Sequence, residues 1–187
     1  MNISEYLRNL HFKIDALLFD WGDTVMKVFP EQNGPMATWS EVAVVEGIQE
    51  SLSLLKDDYK IILVSNAQDS DQAQVRRALE RVDIEHYFHE IFTPKEVNES
   101  KPAPGFYLNI LKQIEIEPEN AVMIGDDYEQ DIVAAKQVGL WTIWYNPDRK
   151  KIENTTFPYH DAEIAHLQQL RSAIQKKMKF ESYHSKF

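Results

Sequence analysis

The chain contains no cysteine. Disulfides, thiolate metal sites and cysteine nucleophiles are therefore excluded. No apolar run approaches the roughly 20 residues that a membrane-spanning helix needs. Positive charge is scarce: 20 Lys and Arg stand against 30 Asp and Glu, for a net charge of −10. Such a surface repels the phosphate backbone, which argues against non-specific nucleic-acid binding. An anionic substrate then needs positive charge placed locally, by a metal ion or a lysine. The first ten residues carry Glu5 and Arg8 and lack the apolar core of a signal peptide. These absences together read as a soluble cytoplasmic protein with no membrane contact; a monomer or homodimer is expected, though nothing in the sequence chooses between them. What is present is ordinary globular composition, 43% hydrophobic over 187 residues, enough for one domain with its own core.

Apolar runs alternate with helical patterns along the chain. Residues 2–12 place Ile3, Tyr6, Leu7 and Leu10 on one helical face. Strands are expected at 14–19, 60–64, 90–93, 121–124 and 140–145, each a short apolar run. Between them the helical patterns are 46–56, with Ile48, Leu52 and Leu55 on one side; a helix to about Arg81, opened by a capping box of Asp69 and Gln72; a helix started by Pro104; and one begun by Asp131 and stopped by Gly139. Asp161 is expected to cap a last helix bearing Ile164, Leu167, Leu170 and Ile174. Residues 176–187 are lysine-rich without a clear pattern and read as a mobile, solvated tail. Residues 25–45 are broken by Pro30, Gly34 and Pro35, room for no more than a small hairpin or helical turn. No internal repeat or interdomain linker is visible. The alternation predicts one α/β domain over 1–187, its core at 14–170, built as a doubly wound (Rossmann-like) parallel sheet of about five strands with helices on both faces.

Polar clusters sit at or near the ends of these strands: Asp20 to Thr24, Ser65-Asn66, Lys101, and Asp126 to Asp131. In a parallel sheet the carboxyl ends of the strands share one edge, where ligands bind. Carboxylates without Cys or paired His favour a hard, oxygen-seeking cation, Mg2+ above all. A serine hydroxyl, a backbone N–H and a lysine can hold the remaining oxygens of a phosphoryl group. Asp20 is then free to act as a nucleophile.

These motifs, in this order, resemble the haloacid dehalogenase-like (HAD) hydrolase superfamily, mostly Mg2+-dependent phosphatases. Its Asp-x-Asp-x-Thr matches Asp20 and Thr24, its second-strand Ser or Thr matches Ser65, its Lys matches Lys101-Pro102, and its Gly-Asp with a following Asp matches Gly125-Asp126 and Asp131. The resemblance runs from about Ile14 to Leu170. It implies Asp20 as nucleophile and metal ligand, forming an aspartyl-phosphate. Ser65 and the Asn66 N–H would bind the phosphoryl group, Lys101 would neutralise it and steady Asp20, and Thr24 would fix the loop. Mg2+ would be held by Asp20, the Gly22 carbonyl, Asp126 and Asp131.

The chain departs from the family pattern in two ways. The second Asp of the first motif, which in such phosphatases protonates the leaving oxygen, is Gly22 here, with Asp23 next to it as if the usual Asp-Gly order were swapped. Asp23 is either a substitute acid or a loop-stabilising carboxylate. There is also hardly room for a cap domain, so the site is expected to be open, suited to a large phosphorylated substrate or to a neighbouring subunit as lid. Trp39 and Lys27 are candidates to touch substrate, against the alternative of ordinary surface residues. Trp21, Trp141 and Trp144 read as packing residues, Asp127 as a turn residue, and the six histidines lie outside the motifs. The leading expectation is a HAD-type phosphatase acting through Asp20. Two alternatives stand beside it: a hydrolase of activated (acyl) phosphates, whose leaving group needs no proton, and a weak or inactive protein that binds phosphate or a partner.

Overall fold

The computed structural model describes residues 13–152 and 158–184, with side chains through residue 178. The helix expected over 2–12 lies outside the described residues. Six strands form the sheet: β1 (Ala16–Asp20), β2 (Lys60–Val64), β3 (Glu90–Phe92), β4 (Ala121–Gly125), β5 (Trp141–Tyr145) and β6 (Ala162–Ile164). All neighbours are parallel, in the order β3-β2-β1-β4-β5-β6. The helices are α1 (Ile48–Leu55), α2 (Gln72–Glu80), α3 (Pro94–Val97), α4 (Pro104–Ile114), α5 (Ala134–Gln137) and α6 (Leu170–His184).

Side chains of a strand alternate between faces, so each central strand feeds two cores. Leu17, Phe19, Ile61, Leu63, Ile124 and Ile143 pack on one side with α1, α2 and α6. Ala16, Leu18, Ile62, Val64 and Met123 pack on the other with α4 and α5. Strands buried on both faces are continuous apolar runs, which is why β1, β2 and β4 were legible. The order of strands reverses direction around β1, between β2 and β4. Asp20, the last residue of β1, therefore stands at the switch point where an open α/β sheet has its natural crevice.

Several expected boundaries are corrected. The sheet has a sixth strand: the Asp161 carboxylate takes the Thr142 N–H at 2.9 Å and the Lys136 ammonium at 2.7 Å. That fastens the chain beside β5, so Asp161 starts a strand instead of capping a helix. Ile164 ends this strand, Leu167 opens a 3-10 turn, and only Leu170 and Ile174 belong to α6. That helix runs on through residues 176–184, where the sequence shows no apolar period. The capping box of α2 is Asp71 with Gln74, at 2.8 and 3.0 Å, and the Asp69 carboxylate instead takes the Ser70 hydroxyl. Asp131 lies inside a helical stretch, not at its start. Asp127 opens it by accepting the Glu129 and Gln130 N–H groups, and the first turn, Tyr128–Val133, is π-helical before α5.

Candidate active site

Lys101 is the centre of the site. Its side chain is 1% exposed, and its ammonium donates to Asp20 Oδ1 at 2.5 Å and to Asp131 Oδ1 at 2.7 Å. A buried ammonium persists only when paired and hydrogen-bonded. Burial pulls its pKa down, but Asp131 and Asp20 outweigh that and the net shift is upward, so the lysine stays charged.

Asp20, Asp126 and Asp131 each offer an oxygen lying within 4.8 Å of the others. Three carboxylates thus face one ammonium, an excess of negative charge in a partly dry place. The carboxyls respond accordingly. Burial, then Asp20 and Asp23, push Asp126 up to about 6 against the opposing hydrogen bond from Thr24. Burial and Asp20 also raise Asp131, against the pull of Lys101. An all-oxygen set, in which Asp126 and Asp131 hold their protons more tightly than usual until a cation arrives, fits a hard divalent ion. Among the described residues no hydrogen bond reaches the Gly22 carbonyl or Asp20 Oδ2, so both are open to a ligand.

The neighbours explain how these groups are held. The Thr24 hydroxyl donates to Asp126 Oδ1 at 3.1 Å, and the Trp144 indole N–H donates to the Asp126 carbonyl at 3.0 Å. Gly125 is a spatial necessity, since a Cβ there would fall 2.2 Å from Asp131 Oδ2. Ser65, 1% exposed, accepts the Ala67 N–H at 3.0 Å, which leaves its own hydroxyl hydrogen to donate. The Asn66 side chain clasps the Lys101 backbone from both sides, accepting its N–H at 3.1 Å and donating to its carbonyl at 3.2 Å. It also donates to Gln130 Oε1 at 2.6 Å, while the Tyr107 hydroxyl donates to the Gln130 carbonyl at 2.7 Å. The sequence marks only the Asn66 N–H; it gives no sign of Gln130 or Tyr107, and Trp144, expected simply to pack, also holds the Asp126 carbonyl. Nothing local marks them; their partners are far away in the chain.

Gly22 and Asp23 sit on the tight turn after β1. Gly22 lies outside the left-handed region, and it is Asp23 that has positive φ, at 54°. Asp23 therefore occupies the backbone conformation a glycine would hold at no cost. Its carboxylate accepts the Val28 N–H at 2.9 Å.

Above these groups is a cavity of about 370 Å³. Its far wall comes from the loop after β1, which carries only a 3-10 turn, Met36–Thr38. Val28, Gly34, Met36 and Trp39 face the cavity from there. Arg81, just past α2, donates to the carbonyls of Met36, Ala37, Trp39 and Ser40, the shortest at 2.7 Å. Trp39 lines the cavity; Lys27 does not, and instead borders an adjacent cleft with Lys150.

A sequence model of haloacid dehalogenase-like hydrolases matches residues 4–145. The chain belongs to this family. A pyrimidine 5′-nucleotidase of Streptococcus pneumoniae is 30% identical to this HAD protein over 127 residues, 67% of this chain and 52% of the relative. A glyceraldehyde 3-phosphate phosphatase of Pyrococcus furiosus is 25% identical over the same shares. The chain spans about half the length of these curated relatives, at 52% each. Among solved structures, an uncharacterized protein from Listeria monocytogenes serotype 4b superposes with a TM-score of 0.78 at 23% identity, covering 89% of this chain and 99% of that one. A HAD phosphatase from Thermococcus onnurineus gives a TM-score of 0.61 at 30% identity, covering 71% and 59%. Similarity at the level of the first of these shows the fold alone.

Proposed function

We propose that this HAD protein is a Mg2+-dependent phosphatase that works through an aspartyl-phosphate on Asp20. The observation carrying the reading is the buried Lys101 ammonium spanning Asp20 and Asp131 beside Asp126, three acids to one base. Asp20, Asp126, Asp131 and the Gly22 carbonyl would hold the ion. When bound, Mg2+ supplies charge neutralisation at the phosphoryl oxygens.

The chain's own groups do the rest. Lys101 holds Asp20 through Oδ1, which leaves Oδ2 to be aimed at the substrate. Asp20 Oδ2 attacks phosphorus, a new P–O bond forms, and the ester oxygen leaves with the electrons of the bond that breaks. Ser65 Oγ–H and the Asn66 N–H donate to the transferring phosphoryl group. Asn66 also fixes the backbone from which Lys101 reaches in, and Thr24 steadies Asp126. Water then cleaves the aspartyl-phosphate and releases phosphate. The names of the relatives, a nucleotidase and a sugar-phosphate phosphatase, support a phosphate monoester as substrate.

A second reading concerns the leaving group. Position 22 has no carboxylate, and the Asp23 carboxylate accepts a backbone N–H of its own loop. A substrate whose leaving group departs as a stable anion, an acyl or aryl phosphate, therefore suits this site better than an alkyl ester.

The test is attachment of beryllofluoride, a phosphoryl mimic, in the presence of Mg2+. The parent protein is expected to bind it at Asp20, seen by fluorine NMR, and Asp20→Asn to lose it. Persistence of the signal in Asp20→Asn would show that another group is the nucleophile.

A further inference from the structure

The cavity over Asp20 is far larger than a phosphoryl group, so the rest of it receives what the phosphate is attached to. Its 370 Å³ lies at the small-molecule end of the roughly 300–1,000 Å³ expected of ligand sites. Two properties of its lining restrict the occupant.

The first is charge. Asp20, Asp23, Asp69, Asp126, Asp127 and Asp131 border the cavity, and among the described residues Lys101 is the only cation doing so. Even after a divalent ion is counted, six acids against three positive charges leave the cavity negative. A second anionic group on the substrate would be repelled. Lys27 and Lys150 line not this cavity but a neighbouring cleft, which meets it at Asp23, Val28 and Asp126.

The second is the wall opposite the acids. Val28, Met36 and Trp39 present hydrocarbon, sulfur and a ring. The indole N–H of Trp39 already donates to the Gly34 carbonyl at 2.8 Å, so what it offers a ligand is its ring. Phe29 packs against Trp39 in an edge-on contact, centroids 6.4 Å apart, and Arg81 fastens the carbonyls on both sides of the turn. The wall is held in place before any ligand arrives. The wall offers a leaving group no side-chain hydrogen-bond donor, and the Asn66 amide across from it is spent on Lys101 and Gln130.

We propose that the substrate is a small aryl phosphate monoester with no second anionic group, its ring lying against Val28, Met36 and Trp39. This rests on the phosphatase reading above and names its substrate class. It agrees with the independent fact of Gly22. As Asp20 bonds to phosphorus, the P–O(aryl) bond breaks and its electrons leave on a phenolate, a base weak enough to depart unprotonated. An alkoxide would require the proton that position 22 cannot give.

The test uses the 187-residue chain with Mg2+ and three non-hydrolysable ligands, phenylphosphonate, methylphosphonate and phosphonoacetate, measured by calorimetry. Phenylphosphonate is expected to bind about tenfold more tightly than methylphosphonate, the preference a well-seated ring earns. Phosphonoacetate, with its added carboxylate, is expected to be the weakest of the three. Trp39→Ala should shrink the phenyl-to-methyl ratio to about twofold, and Trp39→Phe should restore most of it. A ratio near one in the parent protein, an undiminished ratio in Trp39→Ala, tight binding of phosphonoacetate, or no binding of any phosphonate would each overturn the assignment. Turnover distinguishes this from failure of the phosphatase reading. Hydrolysis of phosphate esters with no phenyl preference sinks the leaving-group assignment alone. The expected ratios with no turnover of any ester leave the ring subsite standing and sink the catalytic reading.

Discussion

At the residue scale the sharpest question is the pair Gly22 and Asp23. The backbone of this turn permits a side chain at 22, because φ there is not positive. A Cβ would meet Val28 Cγ2 at 3.0 Å, and Val28 is 42% exposed, so its methyl can swing away. Gly22→Asp is therefore expected to fold and to restore an acid near the leaving oxygen. It should raise kcat for alkyl phosphates more than for aryl phosphates, by at most ~10²–10⁴ and less in an unadapted site. The measurement is the ratio of the two kcat values in parent and variant. Asp23→Asn is the control. Its carboxylate serves the Val28 N–H, an acceptor role the amide oxygen can keep, so alkyl turnover should change little. If that change abolishes alkyl turnover while Gly22→Asp adds none, Asp23 is the acid.

At the scale of elements, the lesson is which carboxylate caps which helix. Asp71 and Gln74 exchange hydrogen bonds at the start of α2, whereas Asp69 bonds its neighbour Ser70. Asp71→Ala should cost about 1 kcal/mol. In a protein of this size that lowers the melting temperature by about 2–4 °C. Asp69→Ala, which removes no cap, should leave the melting temperature nearly unchanged. Calorimetric melting of the two variants side by side checks the assignment, and a larger loss from Asp69→Ala would contradict it. The same helix carries Arg81 at its end, so weakening α2 also weakens the tether of the wall that faces the cavity.

At the scale of the whole molecule, the carboxylate cluster couples folding to pH. Asp126 has its pKa raised to about 6 in the fold, from 3.8. The folded state thus holds this proton more tightly than the unfolded state does. Its contribution to stability is complete below about pH 4 and is lost as pH rises through about 6. Asp131 shifts in the same direction. A divalent ion binds the deprotonated form, so it restores what ionisation removes. Saturating Mg2+ is therefore expected to raise the melting temperature more at about pH 7.5 than at about pH 5. Thermal melts with Mg2+ and with chelator at both pH values measure this. An equal or larger rise at the lower pH would mean that the cluster is not the metal site.

The sequence by itself determined the doubly wound sheet and most of the polar set at its edge. The reason is that a strand buried on both faces must be an unbroken apolar run, and such a run shows where it stops. The polar residues just beyond Phe19, Val64 and Ile124 are then located by the strands themselves, and Lys101 is marked by the proline after it. Only the tertiary structure decided the rest. β6 is three residues long and is created by the bond of Asp161 to Thr142, 19 positions away, which leaves no period to read. The grip of Asn66 on Lys101 spans 35 positions and that of Arg81 on the cavity wall 41 to 45. A hydrogen bond of that span depends on where two elements come to lie, and neither residue carries a local sign of it. Which of Gly22 and Asp23 takes the left-handed conformation was likewise undecided in the sequence, because φ is imposed by the turn and the letters do not spell it.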